Sequence, residues 1–306
     1  MDIRIEIGSW VEAGVEFLID NFTPFFDAVA WGIGLVANTL ENSLRGVPWW
    51  AALAAISLLG LWRLGWRFAA FTAVALFLVQ GMGLWRETVS TLALVLSATA
   101  VALAIGIPIG IAMARSDLFE KLVRPVLDLM QTMPPFVYLI PAVMFFGLGK
   151  VPGTIATVVF AMPPAVRLTN LGIRQVSKEN VEAGIAFGCT DRQLLFKVQL
   201  PLAMPSIMAG VNQTIMLALS MVVIASMIGA GGLGNTVLTG IQRLNVGLGF
   251  EGGLGVVILA IILDRITQSF GVRRSGGGLA AAFRSLFRRG DAATPPVTTT
   301  TADAGR

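Results

Sequence analysis

TVSTLALVLSATAVALAIGIPIGIAMA, Thr88–Ala114, is an apolar run without one charged side chain. A helix needs ~20 such residues to cross a bilayer core of ~30 Å, and only helices and closed barrels satisfy every backbone N–H and C=O in lipid. The stretch therefore reads as a membrane span, and its surroundings read the same way. Apolar runs recur at Val47–Trp62, Phe68–Leu84, Val126–Leu148, Val151–Val166, Ala203–Ile228 and Gly252–Leu263. The run at 126–148 is interrupted by Pro134, Pro135 and Pro141, and the next carries Pro163 and Pro164 near its end. The last is short unless it reaches back past Glu251. Together they predict an all-α membrane protein, a polytopic helical bundle of about seven spans.

Composition agrees. Of 306 residues, 55% are hydrophobic and 13% charged, too little charge to coat a soluble fold. There is no His, and Cys189 is the single cysteine, which argues against a metal site, an internal disulfide and His-dependent nucleophilic catalysis. The net charge of +4 does not point to nucleic acid, because basic residues of membrane proteins collect on cytoplasmic loops. One set of connecting segments holds Arg63, Arg67, Arg115, Lys121, Arg124, Arg167, Arg174, Lys178, Arg192, Lys197 and the tail from Arg265. The other set holds only Arg4, Arg45, Arg86, Lys150 and Arg243. The richer set belongs inside, which puts the N-terminus outside and the C-terminus in the cytoplasm. The opening MDIRIEIGSW has acids and no basic run before an apolar core, unlike a cleaved signal peptide.

Four segments follow. Residues 1–46 mix apolar side chains with Glu12, Glu16, Asp20, Asp27 and Glu41, and predict one or two amphipathic helices on the outer interface, broken near Pro24. Residues 47–86 hold two spans, and 87–268 the main bundle. Residues 269–306, Gly-, Ala- and Thr-rich with Arg284, Arg288 and Arg289, are expected to form a flexible basic cytoplasmic tail with affinity for anionic lipid.

The cytoplasmic stretch 167–201 is too long for a simple connector. Ser177 can cap a helix that Gly188 ends, since glycine accepts the left-handed conformation. Thr190 then caps a second helix, with Gln193 in capping-box position and Leu194, Leu195 and Val198 as its apolar face. Pro201 is expected to close the segment. Two short helices meeting at a glycine elbow suit a groove on a partner.

The same loop reads Glu182, Ala183, Gly184, three residues to Gly188, then nine residues to Val198, Gln199, Leu200 and Pro201. This resembles the EAA motif of ABC importer permeases, with Gly184 and Val198 as its two departures. Met130–Gly153, Pro163–Val176, Phe196–Thr214, Leu217–Gly234 and Val256–Gln268 also resemble the permease subunit of glycine betaine/proline betaine importers. The resemblance implies a type I ABC importer permease fold, a homodimeric permease and a cytoplasmic ABC ATPase that uses ATP and Mg. It also implies an extracytoplasmic substrate-binding protein. By resemblance, Glu182, Ala183, Gly184, Gly188, Leu200 and Pro201 couple transport to the ATPase. No GxxxxGK[ST] stretch occurs, so the chain has no phosphate-cradling loop of its own and is not expected to be an enzyme or to hold a cofactor.

For the substrate path the sequence leaves alternatives open. Pro134, Pro135, Pro163 and Pro164 can line a path, act as hinges or mark packing kinks. Asn212 and Gln213 can face a cavity or bond between helices. Phe136 and Tyr138 lie where they could face the path. Gly231, Gly232 and Gly234 suggest an outer gate. Gly106 and Gly110 permit a close helix approach, although Pro108 lies between them. Rival functions are an ABC importer for another small solute, such as an amino acid, choline or a sulfonate, and an ion-coupled secondary transporter. The latter calls for ionisable residues inside spans, and the middle spans show none there.

Overall fold

A computed structural model describes residues 7–271, and every regular element among them is helical. The order is α1 (Ile7–Arg45), α2 (Trp49–Leu64), α3 (Trp66–Gly81), α4 (Trp85–Arg115) and α5 (Asp117–Thr132). A 3-10 turn (Pro135–Tyr138) leads into α6 (Leu139–Phe146) and α7 (Lys150–Arg174). Then come α8 (Lys178–Ala186), α9 (Asp191–Gln193), a π-helical segment (Leu194–Gln199), α10 (Leu200–Ser226), α11 (Leu233–Gln242) and α12 (Val246–Gly271). Helices α4, α7, Asp191–Ser226 and α12 are long and apolar enough to cross a membrane, and two further helix pairs qualify as bent spans. The tail expected from 269 onward lies, apart from its first three residues, outside the described residues.

The centre is built from α4, α7 and α10. Leu94 and Val95 of α4, Ala161 of α7, and Ile215, Ala218, Leu219 and Val222 of α10 form one buried cluster. Lipid offers no hydrophobic drive to bring helices together, so close van der Waals fit must do so. Gly106 and Gly110 supply that fit. A Cβ built on Gly106 would lie 3.2 Å from Ala165 Cβ, and one on Gly110 would lie 2.6 Å from the Val166 carbonyl oxygen. Pro108 does not prevent the approach, because α4 continues through it.

Three sequence expectations take definite form. The interruption expected within Val126–Leu148 falls at Pro134 and Pro135, and Pro141 causes none, since α6 continues through it. α5 ends at Thr132, and Pro135–Phe146 leaves at 108° to it. Pro134 and Pro135 cause the break, since neither can donate a backbone hydrogen bond and each disfavours helical geometry in the residue before it. The break expected near Pro24 falls at Phe22, where the backbone is non-helical and two helical stretches of α1 meet at a kink. The last span does reach back past Glu251, to Val246.

The amphipathic segment also does more than lie on an interface. Its second half is docked on the bundle through one stripe. Phe26 stacks on Phe145 at 4.4 Å, Gly34 lies against Val151, and Ala37 and Glu41 are buried. Glu41 forms ion pairs with Arg45 (2.7 Å) and with Lys150 of α7, and Ser90 of α4 donates to it at 2.8 Å. A buried acid left without partners is costly, and so is the reverse loss of the acid that two cations share. Glu41→Ala is expected to loosen α1 from α4 and α7. Tryptic cleavage after Arg45 in detergent should quicken, while the core keeps its thermal midpoint. An unchanged cleavage rate would show that apolar contacts alone hold α1.

Candidate functional site: the glycine elbow and the open face of α10

The loop after α7 folds as a pair of short helices around Gly188. The end of α8 is a Schellman motif. Gly188 has φ +79°, its N–H donates to the Ile185 carbonyl at 2.8 Å, and the Cys189 N–H donates to the Gly184 carbonyl at 3.1 Å. Thr190 then starts α9 with a capping box. Its hydroxyl accepts from the Gln193 N–H (3.4 Å), and Gln193 Oε1 accepts from the Thr190 N–H (3.1 Å). Ser177 occupies the N-cap of α8, but its hydroxyl accepts from the Asn180 side chain at 2.8 Å instead of from a backbone N–H.

Gly184 closes the hairpin. A Cβ there would lie 2.7 Å from Leu194 Cδ1, so the glycine lets α8 pack on the segment after α9. Glu182 and Ala183 are exposed. Glu182 lines a hollow of about 450 Å³ with Arg115, Arg174, Lys178 and Asp191, where basic and acidic side chains meet. Leu200 packs on the buried cluster of Ile173, Leu195, Ala203 and Ile207. Pro201 does not close the segment, which corrects the expectation. Asp191–Ser226 is helical throughout, with π geometry over Leu194–Gln199 just before the proline. The wider π turn makes room for a ring that would clash in a regular turn. The elbow and the span α10 are therefore one continuous piece.

The apolar tip of the elbow escaped the sequence reading. Phe187 is 90% exposed and Ile185 59%, side by side at the end of α8. The available signal was a large aromatic residue directly before the helix-ending glycine. Behind the elbow, Arg174 ties three elements together. It pairs with Asp117 (2.7 Å) and Glu120 (3.0 Å) of α5 and donates to the Met113 carbonyl of α4 (2.8 Å). Arg167 pairs with Asp128 of α5 at 2.6 Å.

The residues named for a path fall in different places. Pro163 and Pro164 are buried within α7, where the Pro164 carbonyl faces Gly210 of α10. Phe136 is exposed. Tyr138 donates to the Met130 carbonyl at 2.6 Å and packs beside Phe160 on the cluster that holds Met221 and Ile228. That position is about three turns of α10 from Asn212. Asn212 and Gln213 sit together on the open face of α10, beside a hollow of about 530 Å³. Gly231, Gly232 and Gly234 precede or begin α11, which the sequence reading did not anticipate. Leu233 between them is fully buried and its N–H donates to Thr91 Oγ1 at 2.8 Å. Gly231 has open space around it and φ +77°.

A bundle of apolar spans carrying an exposed, capped helical elbow is the build of a polytopic membrane protein, and comparison with known proteins places it further. Residues 106–274 match the family described as binding-protein-dependent transport system inner membrane component, and the chain belongs to that family. It is 51% identical over 267 residues to the glycine betaine/proline betaine transport system permease protein ProW of Escherichia coli, covering 87% of this chain and 75% of that one. It is 51% identical to the glycine betaine/carnitine transport permease protein GbuB of Listeria monocytogenes, covering 87% and 95%. It is 45% identical to the glycine betaine transport system permease protein OpuAB of Bacillus subtilis, covering 90% and 98%. The fold is that of a type I ABC importer permease. An inward-facing MetNI methionine ABC transporter structure superposes with a TM-score of 0.53 at 22% identity, covering 60% of this chain and 94% of that one. The chain is a transport component, not an enzyme.

Proposed function

We propose that this chain is the permease subunit of an ATP-driven importer for glycine betaine, proline betaine or a related quaternary ammonium osmoprotectant. The carrying observation is the exposed elbow at Gly188, rigidly capped and continuous with α10. ATP and Mg are used on a separate cytoplasmic ATPase, which receives the tip formed by Ile185 and Phe187. Glu182, Ala183 and Gly184 form the helix behind that tip, and Leu200 and Pro201 transmit its movement into α10. Closure of the ATPase dimer pushes the elbow and tilts α10.

A second copy of the chain completes the core. The face of α10 with Asn212, Gln213 and Ser220 is polar within an apolar span, and polar groups in spans belong against protein or water, not lipid. Two such faces opposed across a dimer axis would form the route. An extracytoplasmic binding protein delivers solute to the outer end, where Gly231 is the bend of a gate. The distribution of basic segments supports an elbow and C-terminus inside and an N-terminus outside.

The test is uptake of radiolabelled glycine betaine by cells that lack other uptake systems and express this chain with its ATPase and binding protein. Accumulation that disappears when the ATPase is omitted supports the proposal. Accumulation without the ATPase would indicate ion coupling. ATPase-dependent uptake of an amino acid or a sulfonate in place of betaine would reassign the solute.

A further inference from the structure

The corner between α1 and α2 holds a hollow that the proposed function does not use. α1 turns by 100° into α2, and the hollow of about 630 Å³ lies between that corner, the end of α3 and the start of α4. Arg45, Trp49, Gln80, Trp85, Arg86 and Val89 line it, and no acid does. Arg86 is exposed and has no acid within ion-pair distance among the described residues. Arg45 gives Nη2 to Glu41 and Ser90, and most of the five N–H donors of its guanidinium remain. Glu41 is itself shared with Lys150, so it does not cancel the charge of the hollow. Two helices also begin here. α2 starts at Trp49 and α4 at Trp85, and neither Pro48 nor Leu84 caps them with a side-chain hydrogen bond. Their first N–H groups point out of the helix without a side-chain acceptor, and helix starts favour negative charge. Gln80 Oε1 is buried and has no hydrogen-bond partner. Two cations, two uncapped helix starts and an unsatisfied amide are therefore gathered in one place.

We propose that this hollow is a phospholipid site that takes the headgroup phosphate of one membrane lipid. The proposal goes beyond the proposed function and does not depend on the solute. Depth selects the anion. Trp side chains settle at the headgroup level of a bilayer, and Trp49, Trp50 and Trp85 stand together at the starts of α2 and α4. Lipid phosphates are the anions concentrated at that depth. Arg45 and Arg86 donate to the phosphate oxygens, for which the guanidinium fork is well shaped. An ammonium or hydroxyl at the end of the headgroup meets the Gln80 amide. The glycerol and the first methylenes lie on Val89 and the two indole rings, which offer apolar surface beside a polar tip. A lipid so held ties the α1–α2 corner to the start of α4 and fixes both at the membrane surface.

The test uses the full permease–ATPase complex and native mass spectrometry, which counts the lipids that stay bound in detergent. The probes are phosphatidylethanolamine, phosphatidylglycerol and diacylglycerol, the last with the same chains and no phosphate. The wild-type complex is expected to retain either phospholipid under conditions that strip diacylglycerol. Arg86→Ala should weaken phospholipid binding about tenfold. Arg243→Ala removes another exposed arginine that does not line the hollow, and should leave the binding unchanged. Excess inorganic phosphate or glycine betaine should not displace the lipid. Equal retention of diacylglycerol, unchanged binding in Arg86→Ala, or equal loss in the two arginine variants would overturn the site. Displacement by inorganic phosphate or by glycine betaine would assign the hollow to a soluble anion and overturn the lipid reading. The comparison of phospholipid with diacylglycerol needs no variant, so poor assembly of Arg86→Ala does not remove the test.

Discussion

Gly188→Leu inserts into the membrane at normal levels and fails to accumulate solute. The cause is backbone conformation, not space. Gly188 sits at φ +79°, yet a Cβ there would meet nothing within 4 Å. A branched L-residue held in the left-handed region costs about 1–2 kcal/mol. The whole Schellman turn depends on that region, because its two hydrogen bonds from Gly188 and Cys189 close only with it. Leucine would open the turn, swing Phe187 and Ile185 away from their present positions and break the geometry a docking groove reads. The apolar spans are untouched, so insertion survives. Gly188→Asn is the matched control, since asparagine enters the left-handed region at lower cost and should keep a substantial part of the uptake. Solute uptake and copurification of the ATPase are the measurements. Normal uptake by Gly188→Leu would mean that the elbow does not couple.

The second large effect is expected at the α4–α7 contact. Gly110→Ala should lower the thermal midpoint of the detergent-solubilised protein sharply, and Gly110→Val should prevent recovery of folded protein. A Cβ at 110 would lie 2.6 Å from the Val166 carbonyl oxygen and 2.7 Å from Thr169 Cβ. Neither neighbour is the far end of a flexible side chain, so the two helices must part. Forcing extra atoms into a close-packed interior typically costs ~1–3 kcal/mol, and here the contact lies at the centre of the bundle. Gly81→Ala is the informative partner. It also lies in a helix, with nothing within 4 Å of its built Cβ, so alanine should be neutral or stabilising there. Similar midpoints for the two alanine variants would show that α4 and α7 have room to separate.

Local chemistry made part of this molecule legible. Apolar length gave α4, α7, α10 and α12, because lipid forces helix wherever a long run has no charge. The elbow was legible for a different reason. Thr190, Gln193 and Gly188 each satisfy backbone groups within a few residues, so their pattern carries its own geometry. What was not legible depends on distant partners. Nothing near Glu41 announces Lys150, 109 positions away, so the docking of α1 on the bundle was read as a lie on the interface. The Asn212–Asp264 bond is hidden in the same way, 52 positions apart. Proline was a partial guide. Pro134 and Pro135 turn the chain by 108° and a kink falls at Phe22 near Pro24, while Pro108 and Pro201 are absorbed within helices. The difference lies in the packing around each proline, which single-residue rules do not contain.

The central claim is that the elbow faces the cytoplasm and is covered by an ATPase, and the chain carries its own probe. Cys189 is the sole cysteine, stands directly after Gly188 and is partly exposed. Labelling of the unmodified protein with a membrane-impermeant maleimide reads both halves of the claim at once. Cys189 should stay unlabelled in intact spheroplasts, react in inside-out vesicles stripped of the ATPase, and be protected when the ATPase is restored. Reaction in intact spheroplasts, or equal reaction with and without the ATPase, would contradict the account.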